Sequence, residues 1–426
     1  MHVIRIILLS SGIGKKHTRF SARSILLFSF IMQSLAISHY TMVNALGRGV
    51  SATLKALQNS NSGLRRCDFL DAELNTWIGR VEGLEDEPVI SRLKDYECRN
   101  NRLAMFGLRS DDFESTITTA IQRYGRHRIA VIIGTSTSGI LATELAYRER
   151  NPEGKLPPHF RYQTTQENYS VTDFVRSYLK LQGPAFTIST ACSSSAKVFA
   201  TASRLIGSGM CDAAVVGGVD SLCMTTLYGF SSLEIVSTSP CRPASIDRNG
   251  ISIGEAAGFA LLEKPENRSR LPILLGYGES SDGYHMSTPH PEGAGARLAM
   301  QRALQCSGIP ASRIDYVNLH GTATRANDSA EDRAVTEIFG RETPCSSTKG
   351  WTGHTLGAAG ITEAAICCLT LREGFLPATL NTTTVDPDFG MNILLENRSQ
   401  PVRTVLSNSF GFGGNNASII LGYATE

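Results

Sequence analysis

The chain has 426 residues, of which 42% are hydrophobic and 19% are charged, a composition typical of a protein with a sizeable core. Its net charge of +2 argues against a nucleic-acid-binding protein, and no arginine-rich stripe with interleaved aromatic residues occurs. The ten cysteines include no Cys-x-x-Cys pair and indicate reduced, cytoplasmic thiols, while the nine histidines lack the spacing of metal ligands.

The N-terminal segment has an unusual composition, because residues 1–67 contain no acidic residue. Basic residues precede an apolar run at 25–37, which is shorter than the roughly 20 residues that a bilayer-spanning helix needs. No clear small-residue cleavage site follows that run, so we expect neither stable membrane insertion nor a signal peptide. We interpret residues 1–34 as an N-terminal extension outside the native fold, and within it we expect residues 1–31 to lie upstream of the natural start at Met32.

Short apolar runs typical of buried strands recur along the rest of the chain, at 36–42, 128–134, 184–190, 213–217, 257–262, 314–319, 392–395, 404–407 and 418–422. Helical patterns alternate with these strands, at 50–58, 111–124, 193–206, 294–306, 330–339 and 360–372. Alternation of this kind predicts an α/β protein with mostly parallel or mixed sheets.

Cys192 lies at the junction between a predicted strand and a predicted helix of small residues. The unpaired N–H groups and the dipole at a helix N-terminus stabilise a thiolate, so we predict a nucleophile with a lowered pKa. A lone cysteine is more often a buried structural thiol. Two further segments favour catalysis here, because one places His320 after a strand and the other places Lys349 and His354 before a second small-residue helix.

Four long motifs carry a family resemblance: Thr-Ala-Cys-Ser-Ser at 190–194, His-Gly-Thr-Ala-Thr at 320–324, Thr-Lys-Gly-Trp-Thr-Gly-His at 348–354 and Asn-Ser-Phe-Gly-Phe-Gly-Gly-Asn-Asn at 408–416. In this order, and at about this spacing, they resemble the elongating β-ketoacyl-acyl carrier protein synthases of the thiolase superfamily. The resemblance runs from about residue 36 to the end of the chain.

The resemblance implies a duplicated, thiolase-like α-β-α-β-α layered sandwich with mixed five-stranded sheets. We place its N-terminal half, which carries the nucleophile, at 35–268. The C-terminal half at 269–426 then carries the two histidines and the lysine. From the residues alone the duplication is only hinted at, since two Ala/Gly-rich helices can be similar by chance.

The resemblance also implies the reaction, a decarboxylative Claisen condensation of malonyl-acyl carrier protein with an acyl, polyene or polyketide chain held on Cys192. The backbone N–H groups of Cys192 and Phe412 would form the oxyanion hole, and Phe412 would also gate the acyl pocket. His320 and His354 would donate hydrogen bonds to the enolate oxygen. No cofactor is implied, because the substrates are carried on the phosphopantetheine arm of acyl carrier protein.

Supporting roles follow from the same resemblance. Lys349 would orient the site, paired with Glu363 on the same helix. Asp328 and Glu331 would brace the His320 loop.

Asn327 stands before Asp328 where the family usually has glycine, and we expect its tolerance of left-handed backbone angles to preserve the loop. Asn415 likewise stands where threonine is usual. Thr322 and Thr324 match hydroxyls that bind the phosphopantetheine arm.

Thr137 matches the far end of the acyl pocket, where many bacterial long-chain synthases have a bulky apolar gate. A smaller, more polar residue there suggests a polyene or polyketide intermediate. Arg99 and Arg102 match a basic patch that docks the acidic carrier protein, although a solvated charged face is an equally common interpretation. The expected assembly is a homodimer or a heterodimer with a ketosynthase-like chain-length factor.

Two alternative functions stay open. A chain-length factor shares the fold but usually lacks the nucleophilic cysteine. A thiolase or chain-initiating synthase acts on coenzyme A esters with a Cys/His/Asn or Cys/His/Cys set. Cys192, His320 and His354 together favour the carrier-dependent condensing enzyme.

Overall fold

A computed structural model describes residues 34–265 and 271–423. The predicted N-terminal extension, apart from residue 34, and the predicted boundary at residue 268 lie outside the described residues. Over those two ranges no helix combines the length and the apolar character that crossing a membrane requires.

The strands of the described ranges are β1 (Leu35–Asn44), β2 (Gly47–Arg48), β3 (Arg65–Arg66), β4 (Trp77–Gly79), β5 (Ile129–Gly134), β6 (Ala185–Ile188), β7 (Ala213–Asp220), β8 (Ile253–Gly254), β9 (Ala256–Glu263), β10 (Ile273–Ser281), β11 (Tyr316–Asn318), β12 (Pro344–Ser346), β13 (Phe375–Leu376), β14 (Asn392–Ile393), β15 (Arg398–Ser399), β16 (Thr404–Gly411) and β17 (Asn415–Gly422). The helices are α1 (Val50–Gln58), α2 (Arg99–Leu108), α3 (Phe113–Tyr124), α4 (Ile140–Arg148), α5 (Tyr162–Thr165), α6 (Tyr169–Tyr178), α7 (Ser194–Gly207), α8 (Met224–Ser232), α9 (Ala294–Ser307), α10 (Arg325–Phe339), α11 (Lys349–Thr352) and α12 (Ala359–Glu373).

The main sheet has the strand order β14-β12-β11-β16-β17-β10-β1-β9-β7-β5-β6, with β2 paired to β1. Strands β1, β5, β6, β7 and β9, numbered one to five along the chain, lie in the order 1-5-4-2-3. Strands β10, β11, β12, β16 and β17 repeat that order. The two five-stranded parts meet where β1 pairs antiparallel with β10, at Leu35↔Leu274 and Ala36↔Ile273. This repetition is the duplicated sheet that the family resemblance implied.

Three apolar cores separate five layers. Helices α2, α3 and α6 cover the outer face of β5, β7 and β9. Helices α7 and α12 fill the centre, between those strands and β10, β11, β16 and β17. Helices α9 and α10 cover the other outer face. The layered α-β-α-β-α sandwich is therefore present.

Burial on both faces explains why the strands read as continuous apolar runs. In β5, the side chains of Ile129, Val131 and Ile133 point into the first core, and those of Ala130 and Ile132 point into the central core. Since successive side chains of a strand alternate between faces, every position of such a strand must be apolar.

All nine predicted strands and all six predicted helices have counterparts, but of the strands in the two five-stranded parts the prediction missed the short β12 and also β10. Its run is interrupted by Gly276 and Gly278, which weaken a strand signal. Gly278 is required because α9 crosses close by, so that a Cβ there would lie 1.9 Å from the carbonyl oxygen of Ala299. Helices α2, α4, α6 and α8 were missed as well.

Candidate active site

Cys192 lies in a tight turn between β6 and α7. Ala191 before it has a left-handed φ of 51°, and the hydroxyl groups of Ser193 and Ser194 donate back to the carbonyl oxygens of Thr190 and Ala191 at 2.9 and 2.5 Å. The first helical residue is Ser194, two positions further along. This turn places the thiol of Cys192, with 7% of the residue exposed, on the wall of a cavity.

The predicted lowering of the Cys192 pKa is wrong. Burial raises the pKa of the thiol to about 11, because a thiolate there would lose its hydration. The ammonium of Lys349 and the backbone N–H groups of Phe412 and Cys192 act in the opposite direction without overcoming burial. The same N–H groups are the two donors predicted for the oxyanion hole.

His320 and His354 meet at right angles beside Cys192. Their ring centroids are 5.3 Å apart with an interplanar angle of 83°. One side-chain nitrogen of each lies within 4.8 Å of the other and of the Cys192 sulphur. Both rings are almost fully buried. The three reactive groups predicted from separate motifs therefore lie together at one site.

Hydrogen bonding fixes the tautomer of His354. Its Nδ1 accepts the backbone N–H of Leu356 at 3.2 Å, so in the neutral ring the hydrogen must be on Nε2. Burial and the charge of Lys349 hold the pKa of His354 well below its usual range. Burial, Lys349 and then His354 do the same for the pKa of His320. Both imidazoles are therefore neutral hydrogen-bond donors at physiological pH.

Lys349 forms a buried ion pair with Glu363. Its Nζ lies 2.5 Å from the Oε1 of Glu363, and the side chains are 2% and 3% exposed. The expectation that both residues share one helix is wrong, because Lys349 begins the short α11 whereas Glu363 belongs to α12. Burial raises the pKa of Glu363 while the Lys349 ammonium lowers it.

Two buried carboxylates hold the loop that follows β11. Glu331 accepts the backbone N–H groups of His320 and Gly321 at 2.8 and 2.7 Å. Asp328 accepts those of Thr322 and Ala323 at 2.9 and 3.2 Å. Both acids extend from α10, so the helix and the His320 loop form one hydrogen-bonded unit.

Asn327 does not adopt the left-handed backbone angles that we expected to preserve the loop. Asn327 lies within α10 with helical backbone angles, and its amide donates to Asp328 at 3.1 Å. The left-handed residues of this loop are Ala323, at φ 68°, and Gly321, at φ 35°. Asn327 therefore replaces glycine without any special backbone geometry.

The cavity above these groups has a volume of about 220 Å³. Thr322 and Thr324 lie on its wall, with their hydroxyl oxygens 2.9 Å apart. Phe412 also lines it and makes an edge contact with Phe230, with ring centroids 5.7 Å apart. The loop that bears Phe412 is tied to a second loop, because the Gly413 N–H donates to the carbonyl oxygen of Met286 at 2.7 Å.

Cys192, His320 and His354 lie close enough together to be compared with a metal site. Lys349 argues against a divalent cation at this position, because its ammonium charge already lowers the pKa of both imidazoles and would repel a second positive charge.

Comparison with known proteins adds independent findings. Family profiles of the β-ketoacyl synthase N-terminal and C-terminal domains match residues 115–268 and 271–383. The 3-oxoacyl-[acyl-carrier-protein] synthase 2 of Vibrio cholerae is 30% identical over 408 residues, which are 89% of this chain and 96% of the relative. The chain belongs to the β-ketoacyl synthase family of acyl-transferring condensing enzymes.

Two further relatives support this placement. The mitochondrial 3-oxoacyl-[acyl-carrier-protein] synthase of Arabidopsis thaliana is 41% identical over 259 residues, and that alignment spans only 56% of each protein. A chain of the complex between a ketosynthase, ApeO, and its chain length factor, ApeC, from Xenorhabdus doucetiae has a TM-score of 0.83 and 40% identity. That match covers 92% of this chain and 98% of the other.

Thr137 of this β-ketoacyl synthase does not lie on the wall of the cavity that contains Cys192. The residue is 2% exposed, and its hydroxyl donates to Asp220 at 2.9 Å. A polar hydroxyl at this position therefore has a hydrogen-bonding partner inside the protein, which weakens the inference that it shapes an unusual acyl pocket.

The docking prediction is wrong for Arg99. Its side chain is 8% exposed and pairs with the fully buried Glu255 at 2.6 Å, so it cannot contact a carrier protein. Arg102 is 24% exposed, is paired with Glu97 and also donates to the carbonyl oxygen of Glu85 at 3.0 Å. Both arginines lie on α2, a helix that was missed in the sequence.

Sequence reasoning also missed Asp220 and Asp282. Asp220 ends β7 and is fully buried, whereas Asp282 lies on the cavity wall and accepts the amide of Asn416 at 2.8 Å. An acidic residue soon after the predicted apolar strand at 213–217 was a signal that could have found Asp220. Asp282 follows β10, a strand that the sequence pattern did not reveal.

Proposed function

We propose that this protein condenses malonyl-acyl carrier protein with an acyl chain held as a thioester on Cys192, releasing CO2. The observation that carries the proposal is the convergence of the Cys192 thiol with two neutral imidazoles on the wall of one cavity.

In the first half-reaction, the sulphur of Cys192 attacks the thioester carbonyl of the acyl carrier. The new C–S bond replaces the bond to the phosphopantetheine sulphur, which leaves as a thiol with the proton that Cys192 gives up. The N–H groups of Cys192 and Phe412 stabilise the oxyanion formed in between. Movement of Phe412 away from Phe230 would open the path for the acyl chain.

In the second half-reaction, malonyl-carrier loses CO2, and the electron pair of the broken C–C bond becomes a thioester enolate. The Nε2–H of His354 and an N–H of His320 donate to its oxygen. The enolate carbon then attacks the acyl carbonyl, and the sulphur of Cys192 leaves and regains a proton. Burial and the charge of Lys349 keep both imidazoles neutral, so that they act as donors rather than acids.

Both substrates would arrive on the phosphopantetheine arm of acyl carrier protein, with the hydroxyl groups of Thr322 and Thr324 along its path. No further cofactor takes part in these steps. The ten free thiols are compatible with a reducing, cytoplasmic location.

We further propose a dimer, either of two copies or with a ketosynthase-like chain-length factor. β6 is the last strand in the order of the main sheet, and Phe186 on it is 42% exposed. An exposed edge strand with an apolar side chain is suited to pairing with another chain. Native mass spectrometry of the protein alone would distinguish a homodimer from a monomer that awaits a different partner.

A panel of acyl carriers tests the proposed substrate class. Saturated, polyenoyl and β-ketoacyl chains on acyl carrier protein and on coenzyme A are offered separately, and intact mass shows which become attached. We expect adducts on Cys192 from carrier-bound chains, and extension by two carbons once malonyl-carrier is added. Efficient loading from coenzyme A esters alone would favour the thiolase or initiating synthase, and a lack of any adduct would favour the chain-length factor.

A further inference from the structure

Asp220 is a fully buried carboxylate that receives hydrogen bonds from two loops. Its Oδ1 accepts the hydroxyl groups of Thr135 and Thr137 at 2.6 and 2.9 Å. Its Oδ2 accepts the hydroxyl of Ser136 at 2.5 Å and the backbone N–H of Gly357 at 2.6 Å. The backbone N–H groups of Ser136 and Thr137 also donate to this carboxylate.

The bond to Gly357 fixes the turn that determines the His354 tautomer. Leu356 has a left-handed φ of 52°, which its Cβ disfavours. This conformation directs two successive N–H groups in different directions. That of Leu356 donates to His354 Nδ1 at 3.2 Å, and that of Gly357 donates to Asp220. An unfavourable backbone angle persists only where the surroundings enforce it, and here the carboxylate is the hydrogen-bonded anchor.

The turn also lies against Asp220 without free space. A Cβ added at Gly357 would lie 2.7 Å from Oδ2 of Asp220 and 2.7 Å from the backbone nitrogen of Ser136. The turn therefore cannot move towards the loop that follows β5, which contains Ser136. If it moves away, Gly357 loses its hydrogen bond to Asp220.

We propose that Asp220 is a positioning residue for condensation: it holds the turn at Leu356–Gly357 and so keeps the Nε2–H of His354 available to the enolate oxygen. This inference rests on the role proposed above for His354. Asp220 acts through the turn and does not touch the substrate.

Asp220→Asn tests the proposal with almost no change in size. An amide nitrogen donates rather than accepts, so at least one of the N–H or O–H groups around it loses its partner. We expect CO2 release from malonyl-carrier, measured in a Cys192→Gln background, to fall roughly a hundredfold, as for a small misplacement of a catalytic group. Acyl loading of Cys192 in the single variant should persist. Asp212→Asn, which breaks an exposed ion pair with Arg128, is the matched control and should change neither rate.

The ¹⁵N NMR spectrum of the His354 ring gives a readout that a purely structural role would not change. The wild-type ring, identified by its absence in His354→Ala, should be the neutral Nε2–H tautomer, and Asp220→Asn should show a mixture of tautomers. A wild-type Nδ1–H tautomer would overturn the proposal even if Asp220→Asn failed to fold. Parental CO2 release by Asp220→Asn would overturn it too. Normal CO2 release by His354→Ala would contradict the role proposed for His354 itself. That result distinguishes a failure of the proposed function from a failure of the inference about Asp220.

Discussion

Cys192, His320 and His354 are all uncharged in the resting site, because burial removes the hydration that their charged forms need. Neutral imidazoles suit the reaction, since an enolate oxygen requires N–H donors at the moment it forms. A neutral thiol suits it less well. Formation of the thiolate must therefore be coupled to substrate binding, or it limits the loading step.

The reactivity of Cys192 should follow its raised pKa. Alkylation by iodoacetamide should increase roughly tenfold for each pH unit between 7 and 10, because only the thiolate reacts and its fraction is small below the pKa. Mass spectrometry of the Cys192 peptide measures this without interference from the other nine cysteines. A plateau at or below pH 8 would show that the site stabilises the thiolate more than burial opposes it.

Decarboxylation should be insensitive to mild acid. In Cys192→Gln, CO2 release should stay constant as the pH falls through 6.5, because His320 and His354 have pKa values well below that point and remain neutral donors. A decline centred near pH 6.5 would indicate that one of the imidazoles titrates like an exposed histidine.

Breaking the Lys349–Glu363 pair should cost stability in a pH-dependent way. Lys349→Met leaves a buried carboxylate unpaired, so we expect the free energy of unfolding in urea to fall by roughly 3–5 kcal/mol. Glu363 has a raised pKa in the folded state, so at low pH it is protonated and the variant no longer buries an unpaired charge. The loss should be larger at pH 8 than at pH 5. Lys349→Met combined with Glu363→Gln should recover most of it, and an equal loss in the double variant would argue against charge burial as the cause.

At the scale of elements, the strands were predictable because burial on both faces makes them continuously apolar, as in β5. Of the helices that cover the first sheet, α3 was predicted but α2 was not, because α2 mixes polar residues such as Asn100 and Asn101 into its buried surface. That hidden helix is why Arg99 was mistaken for a docking residue. The strand β10 was missed because Gly278, which allows the close approach of α9, interrupts its apolar pattern.

The packing of α9 on β10 can be tested at Gly278. Gly278→Ala should lower the free energy of unfolding by roughly 1–3 kcal/mol, because the added methyl group overpacks the contact with Ala299. Gly207→Ala, at the end of α7 with nothing within 4 Å, is the matched control. It should be neutral or up to about 1 kcal/mol stabilising. Equal effects of the two substitutions would mean that α9 can shift to accommodate a side chain.

At the scale of the whole molecule, the site draws on both copies of the repeated sheet order. Cys192 follows a strand of the first copy, and His320 follows a strand of the second. Motif resemblance predicted that these residues act together, but no sequence spacing gives the 4.8 Å within which their atoms converge. Sequence spacing also could not show what Asp220 binds, because its partners Thr137 and Gly357 lie in loops 220 positions apart in the chain. The division of the chain at residue 268 stays a prediction.

The most direct test of the central claim compares acyl loading with CO2 release in one set of variants, using radiolabelled acyl and malonyl carriers. We predict that Cys192→Gln loads no acyl chain yet still releases CO2, because its amide occupies the oxyanion hole. His320→Ala and His354→Ala should load normally, with CO2 release reduced roughly a hundred- to a thousandfold. Extension of an acyl chain by Cys192→Ala, or equal loss of both half-reactions in the histidine variants, would contradict the account.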